Sequence, residues 1–538
     1  MALRICTILF WLLPVALALP SPHPLVTPPP TPVQRRDLLS DAESYVNGVI
    51  SGLGSDVSGY IASGVPQFFQ DLPTGTAVQS SLGINEKDLA ATPTQVLNLP
   101  AYGNWTNAGW NVRVHGNVYK MPNISESKLD ELADIFLIGT SIKDLPPAEQ
   151  TQARNLTAEI FVVQQSHVNV SIQFVNNVGI EPQDDGGATN AVGGAQVIRL
   201  LEETTDQGDY GTWLVLANTT TINANGSSSG YMMPGNETSR VQSLNMYATG
   251  TDSGNSTVYL VPPKGVTVIS DIDDILRVTK IWDPKEGLLN SFAHPFTPWL
   301  NMPDIYANWS SSFRDFHFHY LTTTPEQVTR NYMDFIFKTY PLGSFDTRPL
   351  NFSDVSATLS IRKFLLDLVF ETFPERKFIL VGDTSNSDVM KAYPQVRNLH
   401  LLSYVTVHTQ TEGLFPTPEL LTRSPNKKLT KDYPGQVLCI FLRNSSSTDS
   451  SDRFPYNTAG FKGLPQDQYM FFNVPDDLRN LDIVGGKCHN ASVKQNVTFS
   501  EQGLPFGLSK SGVAETRPMP GLWATLVVGF GLVMLAMM

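Results

Sequence analysis

The sequence predicts an α/β fold, a doubly wound parallel sheet over residues 265–485, preceded by a β-rich domain over residues 101–264. Three observations predict it. Val266-Thr-Val-Ile-Ser270 is a continuous apolar-leaning run, the pattern of a strand buried on both faces. Phe316 to Leu321, Lys377 to Val381 and His400 to Val405 repeat it. Between these runs lie helical patterns. Pro325 to Phe337 follows Thr324 as candidate N-cap, and Ile361 to Glu371 places Phe364, Leu365, Leu368 and Val369 on one face. Alternating strands and helices build a parallel sheet with helices packed on it.

The segments ahead of that sheet read in order. Residues 1–18 form a signal peptide: Arg4, an apolar stretch from Ile5 to Val15, and the small-residue site Ala16-Leu17-Ala18. Residues 19–36 are a Pro-rich linker ending in Arg35-Arg36, and residues 37–100 are a partly helical N-terminal segment. The β-rich domain shows short β-branched runs at Val112 to Tyr119, Ala158 to Val163, Val168 to Phe174 and Thr212 to Leu216. Gly, Asn and Ser clusters separate them, as turns separate antiparallel strands.

Residues 486–520 form a C-terminal linker and residues 521–538 an uncharged apolar tail. Small residues Ser509, Ser511, Gly512 and Ala514, a spacer from Glu515 to Pro520, then a terminal apolar run match a GPI signal. A retained transmembrane helix is the alternative, since the tail is long enough to span a bilayer. Either way the tail is expected to associate the chain with a membrane.

Composition points to the same compartment. Thirteen N-x-[ST] sequons run from Asn104 to Asn496, as expected of a glycoprotein at the cell surface or outside the cell. Once Cys6 leaves with the signal, Cys439 and Cys488 are the two cysteines left to pair. The net charge of -13, from 37 Lys+Arg against 50 Asp+Glu, argues against nucleic acid as a partner.

Ligands of open α/β sheets bind beyond the carboxyl ends of the strands. Two strand ends there are acidic: Ser270-Asp271-Ile272-Asp273-Asp274 and Gly382-Asp383, followed by Asp388. A third ends in hydroxyls, Thr322-Thr323-Thr324. Carboxylates gathered at one edge repel each other unless a cation joins them. Oxygen-only ligands favour a hard ion, and Mg2+ is the usual one where phosphate is also bound.

The order of these motifs, D-x-D at 271 and 273, a hydroxyl at 322, a basic residue near 363 and G-D-x(4)-D at 382–388, resembles the haloacid dehalogenase superfamily. Four longer stretches resemble the fungal actin-patch-associated phosphatidate phosphatase family: Val268 to Asp274, Met302 to Trp309, Phe318 to Pro325 and Phe373 to Asp383. The resemblance implies a haloacid dehalogenase-like catalytic domain over 265–485. It also implies a Mg2+-dependent phosphatase that converts phosphatidate to diacylglycerol through an aspartyl-phosphate.

It further implies that Asp271 is the nucleophile, Asp273 the acid–base group and Thr322 a phosphoryl contact. Lys363, or its neighbour Arg362, pairs with phosphate and nucleophile. The metal set would be Asp271, the carbonyl of Asp273, Asp383 and, in support, Asp388. Ile275 and the stretch Thr384-Ser-Asn-Ser-Asp388 depart from the family pattern, and so does the signal peptide. The alternative expectation is a cell-surface glycoprotein whose phosphatase-like domain only binds. His317 and His319 alternate on one strand among apolar neighbours and read as packed residues rather than ligands.

Overall fold

A computed structural model describes residues 75–137, 140–176, 195–216, 221–222, 228–229, 241–251, 253–280, 284–313, 315–348, 355–385, 387–395, 435–445, 461 and 464–495. The signal peptide, the Pro-rich linker, the expected strand at His400 to Val405 and the apolar tail lie outside the described residues. Among the described residues no helix is long and apolar enough to cross a membrane.

Two short helices, α1 (Thr76–Ser81) and α2 (Glu86–Ala91), lead into the first sheet. Its strands are β1 (Thr94–Asn98), β2 (Ala101–Thr106), β3 (Gly109–Lys120), β4 (Val163–Gln164), β5 (Ser171–Asn176), β6 (Ala195–Arg199) and β7 (Asp209–Leu216). The two-residue strands β8 (Thr221–Ile222) and β9 (Ser228–Ser229) pair apart, and β10 (Gln242–Ala248) and β11 (Ser256–Leu260) complete the sheet. The order is β1-β3-β2-β11-β10-β5-β6, with β4 and β7 also on β3, antiparallel except where β11 meets β2. The sheet thus begins at Thr94, inside the segment read as partly helical.

One expected strand is corrected. Ala158 to Ile160 belongs to a helix, because Ala153, Leu156, Thr157 and Ile160 form one buried face at helical spacing. That helix, α4 (Pro147–Ile160), packs beside α3 (Glu126–Phe136), and only Val163–Gln164 remains as strand.

The second sheet carries β12 (Val266–Ser270), β13 (Phe316–Pro325), β14 (Gly343–Arg348), β15 (Lys377–Asp383), β16 (Val437–Arg443) and β17 (Tyr469–Phe472). All its pairs are parallel, in the order β14-β13-β12-β15-β16-β17. Helices α5 (Pro284–Phe292), α6 (Met302–Ser312), α7 (Glu326–Thr339), α8 (Val355–Thr372) and α9 (Ser387–Gln395) connect the strands.

Side-chain alternation explains the layering. Val266, Val268, Ile379, Val381, Cys439 and Phe441 join a core with Leu289, Ile305, Tyr306 and Trp309 of α5 and α6. Ile269, Phe378, Leu380, Ile440 and Leu442 join the opposite core with Leu365, Leu366, Val369 and Phe370 of α8, and Val389 and Tyr393 of α9. The expected helix from Pro325 begins one residue later. Pro325 itself closes β13, paired with Arg348. Cys439 and Cys488 form a disulfide, which fastens β16 to the segment after β17.

The two sheets meet through polar contacts as well as apolar ones. Phe345 N donates to Pro100 O at 2.8 Å, and His115 Nε2 lies 3.0 Å from Phe345 O. Arg113 of β3 pairs with Asp346 of β14, whose side chain is wholly buried. His115 and His319 lie 3.1 and 3.5 Å from the same carboxylate. His317 Nε2 and His319 Nδ1 each sit 2.8 Å from Ser344 Oγ, so both histidines are packed strand residues.

Candidate active site

The acidic cluster is set by strand register. Ser270 of β12 lies opposite Val381 of β15, and Asp271 N donates to Val381 O at 2.8 Å. That bond continues the ladder one residue past the strand, so Asp271 and Asp383 emerge side by side at the carboxyl edge. Gly382 is required just before Asp383: a Cβ there would lie 2.7 Å from Val389 Cγ1 of α9. Helix α9 therefore packs directly against the end of β15, next to Asp383.

The loop after β12 is anchored from below by Ile272, Ile275 and Leu276, all fully buried. Asp274 takes a left-handed φ of 61°. Its side-chain Oδ1 accepts from Thr279 N at 3.1 Å and Lys280 N at 2.8 Å, which offsets the strain of that conformation. Arg443, at the end of β16, donates to the carbonyl of Asp274 at 2.5 Å.

Each sequence-predicted residue has a definite place. Asp271, 1% exposed, accepts from Ile272 N at 2.9 Å and from Arg362 Nη2 at 3.2 Å, both on Oδ1. Asp273 Oδ1 accepts from Arg277 Nε at 3.2 Å, Arg277 Nη2 at 2.8 Å and Thr279 Oγ1 at 2.9 Å. Asp273 Oδ2 accepts from Thr324 Oγ1 at 3.2 Å. Thr322 is buried at the end of β13, its Oγ1 accepting from Thr324 N at 3.1 Å. Asp383 Oδ2 accepts from Ser385 N at 2.9 Å, from Ser445 Oγ at 3.0 Å and from the Ser385 hydroxyl. Asp388 stands in the first turn of α9, and its side chain lies outside the described residues.

Lys363 is not brought to this cluster. Its Nζ donates to Asp367 Oδ2 at 2.6 Å, one turn along α8 and partly exposed. Arg362, the fully buried neighbour, is the residue whose charge reaches Asp271. Successive helix positions are turned about 100° apart, so only one of the pair can face the sheet edge.

The electrostatics suit a cation. Burial first, then the charges of Asp274 and Asp271, push the Asp383 carboxyl up to about 7. Three acidic groups are thus held together in a buried place with oxygen donors around them. Among the described residues no three His, Cys, Asp or Glu side chains form a ready-made metal cage. A hard ion here would also draw on carbonyl, water or substrate oxygens, as Mg2+ commonly does.

Sequence reasoning placed Asp274 in the acidic strand end without a role of its own, and missed Arg277, Thr279, Arg443, Ser385 and Ser445. The nearest signal was position: Arg277 and Thr279 follow the D-x-D within one loop, and Arg443 ends an apolar run, Val437 to Leu442.

Residues 266–401 match the family model described as "Phosphatidate phosphatase APP1, catalytic domain". The chain is also similar to the phosphatidate phosphatase APP1 of Saccharomyces cerevisiae, 27% identical over 196 residues, covering 35% of this chain. That alignment spans 28% of the yeast protein's length. The family match falls on the stretch that carries the acidic motifs at 271–274 and 382–388.

Proposed function

We infer, from the match of residues 266–401 to the family described as "Phosphatidate phosphatase APP1, catalytic domain", that this protein is a Mg2+-dependent phosphatidate phosphatase with a haloacid dehalogenase-like, doubly wound catalytic sheet. The observation that carries the reading is the convergence of Asp271, Asp274 and Asp383 at the carboxyl ends of β12 and β15, with Arg362 on Asp271.

In the proposed reaction a carboxylate oxygen of Asp271 attacks phosphorus and the bond from phosphorus to the glycerol oxygen breaks. Asp273 gives its proton to that departing oxygen, leaving diacylglycerol. Asp273 then takes a proton from water as the water oxygen attacks the aspartyl-phosphate. Inorganic phosphate departs and the Asp271 carboxylate is restored. Arg362 offsets charge on Asp271 and the phosphoryl group, and Thr322 provides a hydroxyl beside it. Asp271, Asp383, the Asp273 carbonyl and Asp388 would hold Mg2+, which when bound neutralises phosphate charge.

The test is phosphate release from phosphatidate by the purified protein, with EDTA and with Mg2+ restored. Release is expected to stop in chelator and to return with Mg2+. Asp383→Ala is expected to lower release about 100-fold or more at fixed Mg2+. Undiminished release in EDTA would overturn the metal reading, and no release from any phosphomonoester under either condition would leave the binding-only alternative.

A secretory, glycosylated setting is proposed with it, supported by the signal peptide, the sequons and the Cys439–Cys488 disulfide. Asn123, Asn155, Asn169, Asn255 and Asn308 are exposed. Asn444 is buried, and Asn104 Nδ2 donates to Thr372 O at 3.0 Å. Glycopeptide mapping of the secreted protein should find glycans among the exposed five and none at Asn104 or Asn444. A glycan on Asn444 in active protein would contradict the packing around β16.

A further inference from the structure

Arg277 is held on every edge. Its Nε and Nη2 both donate to Asp273 Oδ1, at 3.2 and 2.8 Å. Nη2 also reaches Ser291 Oγ at 3.2 Å and Nη1 reaches Asn290 O at 3.4 Å. The guanidinium faces the ring of Tyr332 at 4.4 Å and that of Phe296 at 5.2 Å. Backbone bridges tie Arg277 to Asp273 and to Pro298. At 2% exposed, it is locked by packing, planar stacking and directed donors together.

The consequence falls on Asp273. Oδ1 receives three charge-assisted or hydroxyl donors, from Arg277 twice and from Thr279 at 2.9 Å. Oδ2 instead faces the hydroxyl loop, with Thr324 Oγ1 at 3.2 Å, two residues from Thr322. One oxygen is therefore an anchor. The other faces the loop that carries Thr322, the proposed phosphoryl contact.

We propose that Arg277 is the positioning residue for Asp273: it fixes Oδ1 so that Oδ2 is the oxygen that hands the proton to the departing alcohol. The inference rests on the phosphatase reading above and adds to it a residue and an assignment of the working oxygen. Proton donation matters when the leaving atom is a poor one, such as an alkoxide oxygen, and matters little for a thiolate, which leaves without a proton. Loss of positioning should therefore discriminate between leaving atoms, whereas loose folding should not.

The experiment compares dioctanoyl phosphatidate with its analogue in which sulfur replaces the bridging ester oxygen, for wild type, Arg277→Gln, Arg277→Lys and Asp273→Asn. In Arg277→Gln, single-turnover release of the alcohol, which precedes hydrolysis of the aspartyl-phosphate, is expected to fall about 100-fold for the oxygen ester, and release of the thiol from the sulfur ester less than about 10-fold. Arg277→Lys should recover only part of the loss, because a lysine cannot reproduce the fork. Asp273→Asn should show the same selectivity, more strongly. Equal losses on both esters in Arg277→Gln, with Asp273→Asn still selective, would overturn the positioning role while leaving the phosphatase reading intact. If Arg277→Gln melts far below wild type, Thr279→Val removes one anchor donor alone and should show the same selectivity in smaller measure. Equal losses there would overturn the proposal as well. Failure of wild type to cleave either ester would overturn the phosphatase reading and this inference with it.

Discussion

Asp271→Asn is expected to abolish turnover, lowering kcat on the order of 10,000-fold or more, while the protein stays folded. The amide keeps the carboxylate's shape and its contacts with Ile272 N and Arg362. It cannot form the bond to phosphorus. The same change removes one of the charges that push Asp383 upward, so relief of repulsion offsets the charge partner lost to Arg362. Phosphate release and thermal melting measured on one preparation check both halves. Activity within tenfold of wild type would exclude Asp271 as nucleophile, and a collapsed melting curve would make the loss structural instead.

Arg113→Met is expected to destabilise the protein by about 3–5 kcal/mol, the usual cost of stranding one partner of a buried ion pair. Asp346 is wholly buried, and despite burial the Arg113 guanidinium holds its carboxyl well below the usual carboxylate range. Without Arg113 the groups facing it are His115, His319 and the buried Tyr102 hydroxyl, none of them a cation at neutral pH, and burial lowers both histidines, His319 to about 4. The pH dependence follows from those directions. A histidine whose folded value lies below its unfolded value contributes stability present above about 6.5 and lost as pH falls. The depressed Asp346 acts in the same sense, its contribution present above about 3.9 and lost on further acidification. In denaturant melts the seam's share of stability should weaken from about pH 6.5 downward, read as the difference in pH slope between wild type and a His115→Gln, His319→Gln variant, because the raised carboxyls of Asp383 and Glu326 pull the whole-protein slope the other way. The double change Arg113→Met with Asp346→Leu should recover much of the loss, since a well-packed apolar pair can replace a buried ionic one. A midpoint for Arg113→Met indistinguishable from wild type would show that the polar seam between the sheets contributes little.

The parts of this fold legible in the sequence were those whose chemistry is local. Val266 to Ser270 announced itself because a strand between two helical layers must be apolar on both faces. Strand β14 did not, since a single apolar residue in the core, Phe345, stands between the buried Ser344 and Asp346, which are satisfied by histidines and an arginine distant in sequence. Periodicity reads such a strand as a loop. The stretch Ala158 to Val163 misled for the opposite reason: its apolar spacing suits either a strand or the last turn of a helix, and contacts with the core decide.

The site divides in the same way. Asp271, Asp273 and Asp383 follow from motif spacing at strand ends, and Gly382 explains why the second motif begins with glycine. The choice between Arg362 and Lys363 depends on the rotational phase of α8, which a pair of adjacent basic residues leaves open. Arg277 acts through a loop folding back and Arg443 from the end of a strand distant in sequence, and no linear pattern encodes either meeting.

The order of strands in the catalytic sheet has a bearing on how the chain is made. Strand β12 lies inside the sheet, yet it emerges from the ribosome before all five of its companions. Strands β13 and β14 can dock on one side as soon as they appear, while the other side waits for β15, more than a hundred residues after Asp271. During that interval Asp271 has beside it the carboxylates of its own loop, Asp273 and Asp274, but not Asp383. The electrostatic tension of the finished centre is thus complete only when Asp383 arrives, after much of the surrounding core is available to hold it, and the nascent chain gathers its apolar scaffold before it must accommodate all its charges.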